Sequence, residues 1–581
     1  MEVLQGKPIA PGYAKGKVYL HDADGPPAVP GYTIDDKNID DEHSRFRRAL
    51  GESERELNMM QEDVDSELGE EELQIFSAHL SLLKDEKFIE NVKKRIKTEL
   101  VNAEQAVSAE IDEMEKLLSD VENEYIRERI SDIRDAGQRV LRHLTGDANM
   151  LSSLKPGSVV VAHELYPSDT LHLDRRNVAG FVTERGGTTT HAGILARSLG
   201  IPSVTGITGI CGKVRNGMSV LVNGNSGSVI LDPSEEKISV FKKRQDAYRE
   251  ESEAAIENEY KPAVTKDGVS VTIMGNINRP GEAEHVKNHK LDGAGLFRTE
   301  YLFLGTEKRP DIETQVKAYE RAAHHLNGRP LVIRTLDLGG DKKPLFLTAE
   351  YEANPNLGLR GLRFSLYEKD MLKTQLRAIL RVSRKQNVRL LFPMVIGSGD
   401  LEKAIAIVRE IGEEEGTGTL PPMGAMIETP AALYQIEHIL EQADFVSIGT
   451  NDLTRFILAA DRYAVSMLDE CSVLHPAVLS AVRDIVQECG KTGCPLTVCG
   501  ESAGDPKTAC FLVILGIRNI SMSPESSPKV RQAVRRLDTE KWKKEAEHAL
   551  DSGNIEKTRK KADEISEDVI VTETPVGKEE A

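Results

Sequence analysis

Eight short apolar segments, rich in β-branched residues, recur in the second half of the chain and restrict its fold more than any other feature. Patterns typical of helices separate them. Eight strand-then-helix repeats over about 260 residues predict a closed (β/α)8 TIM barrel. The segments begin near Val269, Gly293, Leu331, Val388, Met423, Phe445, Pro495 and Asn519.

The preceding residues show two other patterns, so we expect a multidomain α/β protein. Short β-branched runs at both ends predict one α/β domain, and the charged stretch between them, with apolar residues three and four apart, predicts an inserted α-helical bundle. Within this bundle His79 lies beside the apolar stripe and is predicted to be exposed. The predicted domains are 1–30 with 147–233 (α/β), 31–146 (bundle), 234–262 (linker helix), 263–550 (barrel) and 551–581 (charged, partly disordered tail).

Composition excludes some classes of partner. The formal net charge of −19 disfavours nucleic acid or an anionic membrane as the main partner. No apolar stretch approaches the roughly 20 residues that span a membrane, and the N-terminus lacks the pattern of a secretion signal. None of the six cysteines forms a C-x-x-C pair. Because no secretion signal is seen, we expect these thiols to be reduced. We therefore expect a cytoplasmic protein without membrane insertion.

The run GGTTTHAGILARSLGIPSV at 186–204 places His191 at the start of a predicted helix. A helix N-terminus carries partial positive charge and free N–H groups, so it suits an anion such as phosphate. The same charge disfavours imidazolium and keeps a ring nitrogen nucleophilic. On these residues alone, a histidine that merely caps the helix remains the alternative.

Charged residues cluster where the predicted strands end, which is where active sites of this fold lie. Arginine binds phosphate and carboxylate groups through two parallel hydrogen bonds, so several arginines suit a small, highly charged anion. Two carboxylates suit Mg²⁺ held jointly by protein and substrate oxygens. Ordinary ion pairs of a barrel remain the alternative. The residues are Arg298, Arg334, Arg360, Arg462, Glu428, Asn451 and Asp452.

Cys499 ends the seventh predicted strand, in TVCGES. A thiol at a barrel mouth can exchange a proton with a substrate carbon. Most cysteines pack inertly, and the residues leave both interpretations open.

Several runs together resemble a known family. GGTTTHAGILARSLGIP resembles the phosphohistidine loop of phosphoenolpyruvate (PEP)-utilising enzymes. SIGTNDLTRFILAADR, MGAMIETPAA, LFRTEYLF, NPNLGLRGLR and TVCGESAGD resemble barrel motifs of Enzyme I of the bacterial sugar phosphotransferase system. The likeness runs in the family's order to about residue 545.

The resemblance implies a PEP–protein phosphotransferase. His191 would take the phosphoryl group from PEP, with Thr170 near its ring, and Cys499 would protonate the enolate to give pyruvate. The 31–146 bundle would bind the phosphocarrier protein HPr, the phosphohistidine domain would swivel, and the barrel would form a homodimer. PEP would be held by Arg298, Arg334, Asn451, Asp452 and Arg462, with help from Arg360, and Mg²⁺ by Glu428 and Asp452.

Three positions depart from the family's pattern. Thr190 stands where serine is usual, Gly193 where a slightly larger residue is usual, and Arg455 where glutamine is usual. These departures put the rate or its regulation in doubt rather than the type of chemistry.

Two other functions remain possible. A pyruvate phosphate dikinase or PEP synthase would share the histidine domain and the barrel but needs an ATP-binding domain, for which the sequence has no spare length. A regulatory protein that senses PEP or HPr would bind without turnover.

Overall fold

The structure, a computed structural model, divides the chain into two units, Met1–Arg249 and Glu250–Ala581. It describes residues 1–21, 30–64, 79–80, 82–119, 124–146, 154–165, 177–185, 193, 196, 200–304, 306, 308–338, 346, 354–460 and 471–570.

The first unit contains one eight-stranded sheet in the order β1-β8-β7-β3-β4-β5-β6-β2, in which β3, β4, β5 and β6 run parallel. Strands from the chain's start pair with strands beyond residue 157, which confirms one α/β domain with an insertion. The three-residue strand β6 was not predicted. The strands are β1 Glu2–Gln5, β2 Lys7–Ala10, β3 Tyr13–Leu20, β4 Ser158–Ala162, β5 Val178–Thr183, β6 Ser203–Thr205, β7 Ser219–Asn223 and β8 Ser228–Leu231.

The inserted segment is helical, as predicted, with α1 Ile39–Val64, α2 Glu86–Glu99, α3 Ala103–Ser119 and α4 Glu124–Thr145. Helix α2 shows why, since Phe88, Val92 and Ile96 recur every four residues and are buried on one face. Asp85 caps this helix by accepting a hydrogen bond from the N–H of Phe88 at 2.8 Å.

The prediction for His79 is wrong. Its imidazole is fully buried, and its Nδ1 lies 3.7 Å from Oδ2 of the buried Asp135. A neighbouring carboxylate makes such burial tolerable, and a pattern of apolar residues cannot reveal that partner.

The second unit is a closed barrel of parallel strands in the order β9 to β16, so all eight predicted strands are confirmed. Its interior is filled by side chains that include Leu296, Met426 and Phe445. The strands are β9 Thr272–Ile277, β10 Ala294–Phe297, β11 Leu331–Arg334, β12 Val388–Phe392, β13 Met423–Ile427, β14 Phe445–Ile448, β15 Leu496–Val498 and β16 Asn519–Met522.

Helices cover the outside of the barrel, and the two long gaps between predicted strands hold extra helices. A single helix, α5 Glu235–Glu257, occupies most of the predicted linker. The others are α6 Ala283–Asn288, α7 Ile312–Leu326, α8 Leu362–Tyr367, α9 Lys369–Ser383, α10 Ser398–Glu414, α11 Pro430–Tyr434, α12 Ile436–Leu440, α13 Thr450–Leu458, α14 Pro476–Thr492, α15 Pro506–Ile514, α16 Ser527–Arg536, α17 Thr539–Asp551 and α18 Ile555–Val569.

The structure corrects the prediction of a charged, partly disordered tail over 551–581, because α18 is a helix of the barrel unit. Ala562, Ile565 and Val569 are buried in the same core as the barrel helices. Their spacing of three and four residues makes an apolar stripe that many surrounding charges conceal in the sequence. Residues 571–581 lie outside the described residues. Within the described part of the chain, every helix is too short or too polar to cross a membrane.

Candidate active site

Buried charged residues meet where the barrel strands end. The parallel register of β10 to β14 places these ends on one rim. Arg334 is the last residue of β11, and Glu428 directly follows β13. Asp452 lies in the first turn of α13, and Arg360 precedes α8.

Arg334 is held rigidly between two carboxylates. Its Nη2 donates to Oε1 of Glu300 at 2.9 Å, and its Nη1 lies 3.2 Å from Oδ2 of Asp337. The backbone N–H of Asp337 also donates to Oε1 of Glu300 at 2.9 Å. Burial opposes the charge on Arg334, but Glu300 and Asp337 outweigh it and raise its pKa. The guanidinium is therefore a fixed positive charge.

Arg360 joins two carboxylates from different elements. Its Nε donates to Oδ1 of Asp337 at 3.1 Å, and its Nη2 donates to Oδ2 of Asp452 at 2.9 Å. A third bond, from Nη1 to Oδ1 of Asp452, measures 3.2 Å. Such fork-like contacts give geometric precision as well as charge balance.

Glu300, Asp337 and Asp452 each pair with an arginine, whereas Glu428 has no arginine partner among the described residues. Its Oε1 accepts a hydrogen bond from the backbone N–H of Met394 at 2.6 Å, and no cation of the described residues lies within ion-pair distance. Burial, together with the negative charges of Asp452 and Asp337, raises the pKa of Glu428 to about 8. A cation beside this carboxylate would offset the cost of ionising it and lower its pKa.

The carboxylates of the cluster outnumber its guanidinium groups, which favours a bound cation. Glu300, Asp337, Glu428 and Asp452 face Arg334 and Arg360, and Nη1 of Arg455 lies 3.5 Å from Oδ1 of Asp452. When all are ionised, one negative charge remains in excess. Carboxylate oxygens are the ligands that Mg²⁺ prefers, so the donor set suits this ion.

Two further predicted residues lie near Glu501. The Nη2 of Arg298 lies 3.9 Å from Oε1 of Glu501, and Oδ1 of Asn451 accepts from the Glu501 backbone N–H at 3.2 Å. Arg298 also donates to Oδ1 of Asn278 at 3.3 Å. Its side chain is one-quarter exposed and therefore accessible to a ligand.

Cys499 lies inside the barrel mouth, directly after β15. Its side chain is buried, its Sγ accepts from Oγ of Ser447 at 3.2 Å, and it approaches the carbonyl oxygen of Ile448 at 3.5 Å. Burial, with the charge of Glu428 as a smaller contribution, raises the pKa of the thiol to about 11. The group therefore carries its proton at neutral pH.

Similarity to known proteins covers almost the whole chain. Residues 5–129 match the N-terminal domain of PEP-utilising enzymes, 154–227 their mobile domain, and 252–539 their PEP-binding domain. The chain is 35% identical to the phosphoenolpyruvate-protein phosphotransferase of Bacillus subtilis over 556 residues, which is 94% of this chain and 96% of that protein.

This chain belongs to the PEP-utilising enzyme family.

Two further relatives of this PEP-utilising enzyme carry the same name. The phosphoenolpyruvate-protein phosphotransferases of Enterococcus faecalis and Listeria monocytogenes are each 36% identical over 561 residues. The match covers 94% of this chain and 96% of the first protein, and 95% of this chain and 97% of the second.

The structure brings part of the predicted site together and adds residues to it. Arg334, Arg360, Glu428 and Asp452 share one cluster, whereas His191, Thr170 and Arg462 lie outside the described residues. Sequence reasoning missed Glu300 and Asp337. Both follow the ends of predicted strands closely, so a search for every carboxylate at a strand end would have found them.

Proposed function

We propose that this PEP-utilising enzyme is a phosphoenolpyruvate–protein phosphotransferase. It transfers the phosphoryl group of PEP to its own His191 and releases pyruvate, and then passes the group to a histidine of the phosphocarrier protein HPr. This would be the first step of a sugar phosphotransferase system. The observation that carries the proposal is the cluster of fixed guanidinium groups and carboxylates at the barrel mouth of a chain from this family.

PEP carries a phosphate and a carboxylate, and the proposed site offers cations for both. Arg334 is fixed by Glu300, and Arg298 is accessible beside Asn451, so these groups would hold the substrate without reorganising. Phosphoryl transfer depends on such positioning and charge neutralisation more than on covalent machinery. Arg360, Arg462 and Asp452 are the remaining proposed contacts, and Thr170 is proposed near His191.

Glu428 and Asp452 are the proposed ligands of Mg²⁺. The raised pKa of Glu428 and the excess negative charge of the cluster support this assignment. When bound, the ion would neutralise developing charge on the substrate oxygens. Arg360 already bonds both oxygens of Asp452, so a ligand role for Asp452 competes with this bridge.

Cys499 is the proposed proton donor. Loss of the phosphoryl group leaves the enolate of pyruvate, whose methylene carbon must gain one proton to give the methyl group. A thiol that stays protonated at neutral pH can supply it from Sγ–H and would later regain a proton from solvent.

The other parts of the proposal concern partners and place in the cell. The 31–146 bundle would bind HPr, the domain that carries His191 would swivel between the barrel and the bundle, and the barrel would form a homodimer. The composition supports a cytoplasmic location.

A direct test is incubation with PEP and Mg²⁺, followed by peptide mapping under conditions that preserve acid-labile phosphate. The expected result is one phosphoryl group on the His191 peptide, pyruvate release, and loss of both in His191→Gln. His438, on the exposed surface of the barrel, offers a matched control, and His438→Gln should retain both. PEP binding without label or pyruvate would instead indicate a sensor.

A further inference from the structure

Three potential metal ligands that the proposed phosphoryl transfer does not use meet in the first unit. They are His163, Glu184 and Cys211. One ligand atom from each lies within 4.8 Å of the other two. The imidazole, carboxylate and thiol come from three separate stretches of chain, so their meeting is a product of the fold.

The sheet register brings His163 and Glu184 side by side. The ends of the parallel strands β4 and β5 pair Ala162 with Thr183, so the next residue of each strand extends the ladder. The N–H of Glu184 donates to the carbonyl of Ala162 at 3.1 Å, and the N–H of Arg185 donates to the carbonyl of His163 at 2.8 Å. The two side chains are thus fixed by backbone bonds, and Nδ1 of His163 lies 2.8 Å from Oε2 of Glu184.

Cys211 completes the group from the segment that follows β6. Its backbone N–H donates to Oε1 of Glu184 at 2.9 Å. The thiol is buried against the sheet core that includes Ile207 and Val214. The carboxylate of Glu184 therefore lies between the imidazole and the backbone of the cysteine and positions both.

From this geometry we infer that His163, Glu184 and Cys211 form a binding site for Zn²⁺ or a closely similar transition-metal cation. Zinc takes this mixture of nitrogen, oxygen and sulfur ligands, and sites with three protein ligands leave a fourth position for water or another ligand. Thiolate selects such a cation over Mg²⁺. Binding replaces the thiol proton of Cys211 by the metal, and the proton passes to solvent.

The side chain of His163 is 51% exposed, which gives a cation a path to the site. The carboxylate of Glu184 and the thiolate of Cys211 together carry the charge that neutralises a divalent cation. The inference does not depend on the proposed function, because it concerns a different set of residues and a different ion.

The test is a titration of metal-free, full-length protein with Co²⁺ in excess Mg²⁺, followed by absorption. A thiolate–cobalt bond gives an intense sulfur-to-metal charge-transfer band that carboxylates cannot produce. We expect this band at one Co²⁺ per chain, its loss on addition of Zn²⁺, and its absence in Cys211→Ser. His163→Gln should weaken Co²⁺ binding at least about tenfold, and its exposed position keeps the fold intact.

Cys499→Ser and Cys494→Ser are the matched controls, since both remove a cysteine of the barrel unit. Each should keep the band. No charge-transfer band in the unmodified protein, or a band that persists in Cys211→Ser, would overturn the inference. Neither result bears on phosphoryl transfer, because the titration contains no PEP.

Discussion

At the residue scale, the carboxylate of Glu428 occupies space that any side chain at Gly449 would need. A Cβ at Gly449 would lie 2.4 Å from Oε2 of Glu428. The backbone φ of Gly449 is −87°, which alanine adopts freely, so the effect of Gly449→Ala is displacement of the carboxylate. We expect kcat/KM for PEP to fall at least tenfold, about 1.4 kcal/mol, as measured by pyruvate release.

Gly490→Ala is the control for this substitution. A Cβ at Gly490 meets no atom within 4 Å, and the residue lies inside α14, where alanine is favoured. This variant should keep full activity. Full activity in Gly449→Ala as well would mean that the position of Glu428 does not matter to the reaction.

The environment of Cys499 predicts slow alkylation. The thiolate is the reactive form, and with a pKa of about 11 only roughly one thiol in a thousand is ionised at pH 8. Its burial excludes the reagent as well. Time-resolved peptide mapping with iodoacetamide should therefore show Cys471 and Cys494, which are both partly exposed, labelled before Cys499.

Unfolding in guanidinium chloride supplies the comparison for this prediction. All six cysteines should then react at similar rates, because burial no longer protects any of them. If Cys499 of the folded protein reacted as fast as Cys471, its role as a protected proton donor would be contradicted.

The sequence located Arg334 and Glu428 of the site but not the carboxylates that form ion pairs with Arg334. Arg334 and Glu428 could be located because Arg334 lies in the third predicted strand and Glu428 ends the fifth. Glu300 and Asp337 also lie close to strand ends, but nothing in the sequence marks them as partners of Arg334. Glu300 meets Arg334 only because β10 pairs with β11, whereas Asp337 lies three residues after Arg334. Side-chain pairing of this kind depends on tertiary contacts that spacing does not encode.

At the scale of elements, the barrel strands were easier to predict from the sequence than the last helix. The barrel strands are buried on both faces and therefore form continuous apolar runs that the sequence displays openly. Helix α18 buries only a narrow stripe, and its many exposed charges resemble a disordered tail. The three-residue strand β6 is too short to leave any periodic signal.

The packing of α18 predicts a measurable loss of stability. Ile565 is fully buried in the barrel core, so Ile565→Ala should lower the free energy of unfolding by about 2–5 kcal/mol. Glu567→Ala, on the exposed face of the same helix, should change it by less than about 0.5 kcal/mol. Urea unfolding of both variants measures the difference, and equal values would place α18 outside the cooperative core.

At the scale of the whole molecule, the two units have separate hydrophobic cores. The barrel and its helices share one core, whereas the bundle has its own and the sheet of the first unit has others. Each core belongs to a segment with its own sequence pattern, because each pattern needs a different kind of partner surface. Units with independent cores can unfold independently.

Calorimetry should therefore resolve at least two transitions, and ligands should act on them separately. A ligand stabilises only the unit that binds it, by about 2.7 kcal/mol at a concentration 100 times its Kd. PEP with Mg²⁺ should raise the melting temperature of the barrel transition. Phe46→Ala, which removes a buried ring packed against Phe88 in the bundle, should lower the transition of the first unit and leave the barrel transition unchanged. A single transition, or an equal shift of both transitions with PEP, would show that the two units melt as one cooperative body.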